Sequence, residues 1–352
     1  MRVTRRAALL GASTGIAELV TGWPLLATAQ QQAAPRVRQL TIAVENMGMS
    51  GEWFSEFVSG YQLEAKRIPG IKLVEAQANF EPGTEVSQLD ALVASKPDGL
   101  LVNHASNASA LAPIIKRAVA QGTKVVTAEL GTFDFPGVIN VQQYNSQLAT
   151  QGLDLMAKDL NDKGNIVVIW VGAMVPQQQR IRVLRGWLKQ HPGIKVLAQY
   201  GNASQTTLSD TIQKTRAVLD QYHDIDAFWV TWDEFAQGVV QAEAQVGKHI
   251  PIYSVDVSNQ DIEIMRQPNS PWKATAAADA VAYGAISLRA LVLSLYGQPV
   301  PSTVNVPGTL ITQENLPKPG QSITSWFEEN LPQQKTLLVT PFLRALYAER
   351  SG

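Results

Sequence analysis

The sequence predicts an α/β protein built as two parallel-sheet units in tandem. Short apolar segments alternate with amphipathic helical ones along most of the chain. The rhythm breaks once, at "GVINVQQYN", where strand follows strand with no helix between, and then resumes for a second series of similar length. Strands separated by helices belong to sheets covered on both faces, because a parallel pair needs a crossover long enough to hold a helix.

The elements follow in order. After the polar linker "QQQAAPRVR", "QLTIAVEN" is a strand and "EWFSEFVSGYQLEAKRI" has helical period. The strand "IKLVEAQAN" and the helix "TEVSQLDALVASK" come next, then "DGLLVNH", the helix "ALAPIIKRAVAQG" and the strand "KVVTAEL". Gly70, Gly99 and Gly122 stand where helices or turns must end. From Asn145 the second series runs through "SQLATQGLDLMAKDLND", "NIVVIWVG", "QQRIRVLRGWLKQH", "IKVLAQYG", "TLSDTIQKTRAVLDQY", "IDAFWVTWDEFAQGVVQAEAQVG" and "IPIYSVDVS". "KATAAAD" and "STVNVPGTLIT" read as extended again, as further passages between the units. "AVAYGAISLRALVLSLYG" carries Arg289 in its middle and reads as a buried helix rather than a membrane span.

The totals bound the function. With 352 residues, 45% hydrophobic and 17% charged, the chain can build large cores, about two domains by size. A net charge of −1 and no basic run interleaved with aromatics argue against nucleic acid or anionic lipid. "TRRAALLGASTG" places Arg5 and Arg6 before an apolar stretch, and "LLATAQ" supplies Ala27 and Ala29. Residues 1–29 therefore read as an export signal of the twin-arginine type, and a soluble periplasmic protein is expected. Without cysteine there are no disulfides or thiolate metal sites, and no lipid anchor through an N-terminal cysteine is expected.

Ligands of open parallel sheets lie beyond the carboxyl ends of the strands. Two such sheets facing each other would enclose a cleft lined by Glu45, Asn46, Asn103, His104, Glu129, Trp170, Trp232, Asp233 and Asp256. Of the four histidines only His104 sits at a strand end, and none shows metal-ligand spacing. There is no phosphate-binding loop, and the one nucleophile-elbow pattern, "GASTG", falls inside the export signal. No catalytic constellation, metal or cofactor is expected. Asp233 and Glu234 open a helix, where a carboxylate is favourable for dipole reasons alone, so a helix cap accounts for Asp233 as well as a site does. Aromatic planes mixed with carboxylates and amides suit sugars and polyols, whose C–H faces lie on rings while polar groups fix the hydroxyls. Trp170 and Trp229 are assigned to cores; Trp53, Phe54 and Trp232 are assigned to the cleft.

These patterns, in sequence order, resemble those of a ribose-type periplasmic sugar-binding protein, over nearly all of residues 38–315. The quoted segments are Trp53-Phe54 opening a helix with Gly60, "KPDGLLVNHASNASALAPIIKRAVAQGTKVVTAE", "VQQYNSQLATQGLDLMA", "RIRVLRGWLKQHPGIKVL", "TWDEFAQGVVQAEAQVGK" and "YSVDVS". The resemblance implies the type I periplasmic-binding-protein fold: two Rossmann-like lobes with parallel sheets joined by crossover strands. The first lobe would hold residues 38–142 and 279–303, the second 143–278 and 304–345. It implies the substrate-binding component of an ABC importer, a monomer that closes about a hinge on a sugar or polyol and is presented to a membrane permease. Trp53 and Phe54 would stack on the ligand. Glu129, Asn145 and Asp256 would bind it, together with His104, Trp232 and Asp233 and an arginine that is either Arg180 or Arg182. Leu130 stands where ribose binders carry arginine, Trp232 replaces an asparagine, Ala278 or Asp279 stands near a lost glutamine, and "YGNASQ" lacks an aromatic. Those departures point away from ribose itself, toward another sugar, a polyol or another small polar ligand. A ligand sensor serving a chemoreceptor or sensor kinase is the alternative, and an enzyme on the same framework a weaker one.

Overall fold

A computed structural model of the chain describes residues 35–350, and the expected export signal, residues 1–29, lies outside the described residues. The first series comprises β1 (Leu40–Asn46), α1 (Glu52–Arg67), β2 (Ile71–Gln77), α2 (Pro82–Ala94), β3 (Gly99–Asn103), α3 (Ala108–Ala120), β4 (Lys124–Ala128) and β5 (Val138–Gln143). The second comprises α4 (Asn145–Asp159), β6 (Gly164–Ile169), α5 (Val175–Trp187), β7 (Ile194–Tyr200), α6 (Thr207–Gln221), β8 (Ala227–Val230), α7 (Asp233–Val246), β9 (Ile252–Val255), α8 (Asn259–Arg266) and β10 (Trp272–Ala277). Then come α9 (Ala280–Leu295), β11 (Thr303–Val306), β12 (Thr309–Thr312), α10 (Ile323–Asn330), α11 (Pro332–Thr336) and α12 (Pro341–Ala348).

The strands form two six-stranded sheets, in the orders β11-β5-β4-β3-β1-β2 and β12-β10-β9-β8-β6-β7. Among the described residues only β12, at the edge of the second sheet, is antiparallel to its neighbour. Alternation along β1 shows why both sheet faces are covered: Leu40, Ile42 and Val44 join the core that includes α1 and α9, while Ala43 joins that of α2 and α3. The chain changes sheet between β5 and α4, between β10 and α9, and between β11 and β12. β11 runs to Val306 within the first sheet, past the boundary expected at residue 303.

The expected buried helix is α9, and its packing on α1 is backbone-close. A Cβ on Gly60 would stand 2.0 Å from the carbonyl oxygen of Val281, and one on Gly284 2.0 Å from that of Phe57. Arg289 is buried in α9 because Glu64 of α1 meets it with two hydrogen bonds, each 3.0 Å. A buried charge needs such a partner.

The final segment touches both lobes. Ile323, Trp326 and Phe327 of α10 pack with Val257, Ile262, Ala277 and Ile311 of the second lobe. In α12, Phe342 packs on Tyr296 at 5.1 Å, and Tyr347 lies under Arg67 at 4.3 Å and bonds Glu64, all groups of the first lobe. Between them Gln334 accepts from the Asp279 N–H and donates to the Pro307 carbonyl, at two of the chain's crossings.

Candidate functional site

β3, β4 and β9 end alike. The residue after each strand donates its N–H to the adjacent strand and then enters the left-handed region: His104 (φ 59°), Glu129 (φ 61°) and Asp256 (φ 73°). That conformation is costly for side chains larger than glycine's and gathers at functional sites. Here it brings three polar side chains to the seam where the two sheets' carboxyl ends meet.

Arg180 of α5 lies at the centre of a buried network, 2% exposed. Its guanidinium grips the Asp256 carboxylate through two hydrogen bonds of 2.7 and 3.1 Å, donates Nε to Asn145 Oδ1 at 2.9 Å, and donates to the Thr231 carbonyl. Asn145 passes its amide on to Glu129 Oε2 at 2.8 Å and Gln179 Oε1 at 3.0 Å. Glu129 Oε1 accepts the Gln143 N–H at 2.6 Å, and the Gln143 side chain donates to Asp256 Oδ1 at 3.0 Å. Asn145, Thr231 and Gln143 bond the ion pair directly, and Glu129 of the first lobe joins it through Asn145 and Gln143.

The opposite wall is aromatic. His104 lies edge-on to Trp53 at 5.3 Å and Phe54 at 5.1 Å, and Phe54 reaches across to Trp232 of the other lobe at 5.8 Å. The His104 Nδ1 meets Asn103 Oδ1 at 2.8 Å, and Asn103 in turn donates to Asn46. Since that oxygen accepts, Nδ1 carries the proton and Nε2 is left as an acceptor. Trp53 Nε1 is buried without a hydrogen-bond partner, as is Glu234 Oε2. Farther out, three carboxylates close the seam: Glu234 accepts from Ser50 at 2.9 Å, Glu56 from Asn259 at 2.6 Å, and Glu52 from the Gln260 N–H at 2.7 Å.

Burial sets the charge state. It pushes the Glu129 carboxyl up to about 7, against the pull of the Gln143 N–H, Arg180 and Asn145. It holds His104 down at about 3, with help from Arg180, so the ring is neutral at pH 7. Asp233 is raised well above the carboxylate range by burial and by Asp261 beside it. Such a seam offers neutral donors and acceptors with acids in excess, and it disfavours anions.

A family model, the periplasmic binding protein domain, matches residues 42–299. The chain belongs to the periplasmic binding protein family. Among solved structures, this binding protein is similar to the 5-methylthioribose transporter solute-binding protein of Thermotoga lettingae, bound to 5-methylthioribose. The two share 28% identity with a TM-score of 0.84, over 89% of this chain and 98% of that one. It is also similar to a sugar ABC transporter protein of Yersinia enterocolitica, with 30% identity and a TM-score of 0.82 over 89% and 95% of the chains. A xylitol-binding protein of Mycolicibacterium smegmatis is 29% identical over 192 residues. That match spans 53% of each protein, about half the length of the curated relative.

Within this binding protein the structure brings Trp53, Phe54, His104, Glu129, Asn145, Arg180, Trp232 and Asp256 to the seam. Of the two arginines, Arg180 joins the buried network; Arg182, two residues on, is exposed and lines a groove between α5 and the loop after β4. Asp233 is not the cap. The N-cap of α7 is Trp232, which makes no side-chain cap, and Asp233 is the first helical residue, its Oδ1 accepting from the Glu234 N–H at 3.0 Å. Trp229 is a core residue; Trp170 stands half-buried past the end of β6, packed against the same core, bonded to Gln199 and under Arg185.

Gln143 was missed. It lies at the first crossing, accepts the Ala278 N–H of the second at 3.4 Å, and bonds Asp256. Nothing in "VQQYN" distinguishes it from Gln142, which points to Asn305 instead. Arg180 could have been found. With Gln177, Ile181, Leu184 and Trp187 it shares the buried stripe of α5, from which a residue two positions on is turned about 200° away.

Proposed function

We propose that this protein is the substrate-binding component of an ABC importer that holds a neutral polyhydroxylated molecule, a sugar or polyol, between its lobes. The observation that carries the reading is the Arg180–Asp256 pair. Its two groups are tied to Glu129, Asn145 and Gln143, drawn from both lobes and faced by Trp53, Phe54 and Trp232. Hydroxyls both donate and accept, so they can bond such a mixed set of amides and carboxyls, while C–H faces lie on the rings. Contacts supplied by both lobes make binding favour the state with the rims together, which is the form a permease would receive. The sugar ligand of the Thermotoga relative and the polyol named for the Mycolicibacterium one support the class.

In this reading the protein is exported, acts as a monomer and turns nothing over. Among the described residues no helix is long and apolar enough to cross a membrane. Titration calorimetry with xylitol, allitol, ribose, 5-methylthioribose and glucose tests it. Binding of one or more at micromolar dissociation constants, about −8 kcal/mol, is expected, with phosphorylated sugars rejected. Failure of every member to bind overturns the ligand class, and chemical turnover of a bound sugar overturns the receptor assignment.

A further inference from the structure

The two sides of the seam are closed differently. On the α1 side the rims are joined by hydrogen bonds from Asn259 to Glu56 and from the Gln260 N–H to Glu52, and the Asn259 Oδ1 also accepts the N–H of Ile323 from α10. On the α3 side, among the described residues, no hydrogen bond joins the loop after β4 to α5. The contact there is apolar: a Cβ on Gly131, itself at φ +75°, would stand 3.1 Å from Val175. A groove of about 510 Å³ opens on this side, with walls from both lobes. Half-buried Phe133 and Phe135, 5.3 Å apart, form one wall with Leu130; Val175 and Gln179 of α5 form the other, and Ala112 of α3 lies along it.

The groove borders the site through two of its lining residues. Leu130 follows Glu129, and Gln179 precedes Arg180 and bonds Asn145 at 3.0 Å. Leu130, Phe133, Phe135 and Val175 give it an apolar, aromatic wall beside the polar Asp134, Gln178 and Arg182, and that wall matches an apolar or ring substituent better than a hydroxyl-rich unit.

We infer that the groove is a second subsite, which takes an apolar or aromatic substituent carried by the sugar or polyol held at Arg180 and Asp256. This rests on the ligand class proposed above. A substituent seated there contacts both lobes, so it adds to the preference for the joined state as well as to affinity.

Calorimetry on matched pairs tests the assignment: ribose against 5-methylthioribose, and ribose, xylose and glucose against their phenyl β-glycosides. In the wild-type protein at least one substituted member should bind about tenfold tighter than its parent, the size of one aromatic contact set. Ala112→Trp, which fills the groove, should remove that gain and leave the parent's affinity within about twofold. Phe133→Ala with Phe135→Ala should also remove it. If parents bind but no substituted member gains, or if the gain survives both variants, the subsite is refuted while the ligand class stands. If no parent and no substituted member binds, the ligand class itself has failed, and the subsite falls with it.

Discussion

Arg180→Met is the sharpest test of how the two lobes are tied at the site. The guanidinium is 2% exposed and supplies two hydrogen bonds to Asp256, one to Asn145 and one to the Thr231 carbonyl. Methionine conserves much of the volume, so cavity formation is a minor part of the loss. The larger part is Asp256, left as a buried carboxylate with only Gln143 donating to it from a side chain. Removing one partner of a buried pair costs about 3–5 kcal/mol. For a chain of this size that corresponds to roughly 4–8 °C in Tm, read by differential scanning calorimetry. Asp256→Asn removes the stranded charge, so Arg180→Met combined with Asp256→Asn should be less destabilised than Arg180→Met alone. The two changes then fail to add, by at least about 1 kcal/mol. An unchanged Tm for Arg180→Met, or additive effects in the double variant, refutes the coupling argument. Ligand binding should be lost in both.

Affinity should depend on pH. Burial raises Glu56 to about 8 and Glu234 to about 7, both at the seam. Exposed to water with the rims apart, such carboxyls return toward their ordinary value of 4.5. The joined state therefore holds protons that the separated state has released. Its advantage is complete below about pH 4.5 and is lost as pH rises through 7 to 8. Calorimetry at pH 5, 6.5 and 8 should show affinity falling with pH; a flat profile contradicts the assignment. Gly284→Ala should lower the unfolding free energy read from denaturant titration by about 2–4 kcal/mol, because its Cβ meets a carbonyl oxygen at 2.0 Å, whereas Gly83→Ala, with nothing within 4 Å, should be neutral or mildly stabilising. Asn259→Ala removes the bridge between Glu56 and the Ile323 N–H, and ligand should leave about tenfold faster in stopped-flow fluorescence.

Much of this protein is set by local chemistry. Period-two and period-3.6 patterns place the strands and helices, and a parallel strand necessarily delivers its last residues to one rim. His104, Glu129, Trp232 and Asp256 could therefore be located from "DGLLVNH", "KVVTAEL", "FWVTW" and "YSVDVS" without coordinates. The Trp53-Phe54 pair is legible for the same reason, since it opens the first helix after a strand end.

What required the tertiary structure is pairing between distant segments. Arg180 and Asp256 are 76 residues apart, and Glu64 and Arg289 are 225 apart. No periodicity links such positions, because their partnership depends on how two separately covered sheets meet. The crossing glutamine Gln143, the hydrogen-bonded α1 side and the apolar α3 side have the same origin. Local sequence decides what each segment is. Only the docking of the two sheets decides which buried charge finds its counter-charge, and which side of the seam is hydrogen-bonded.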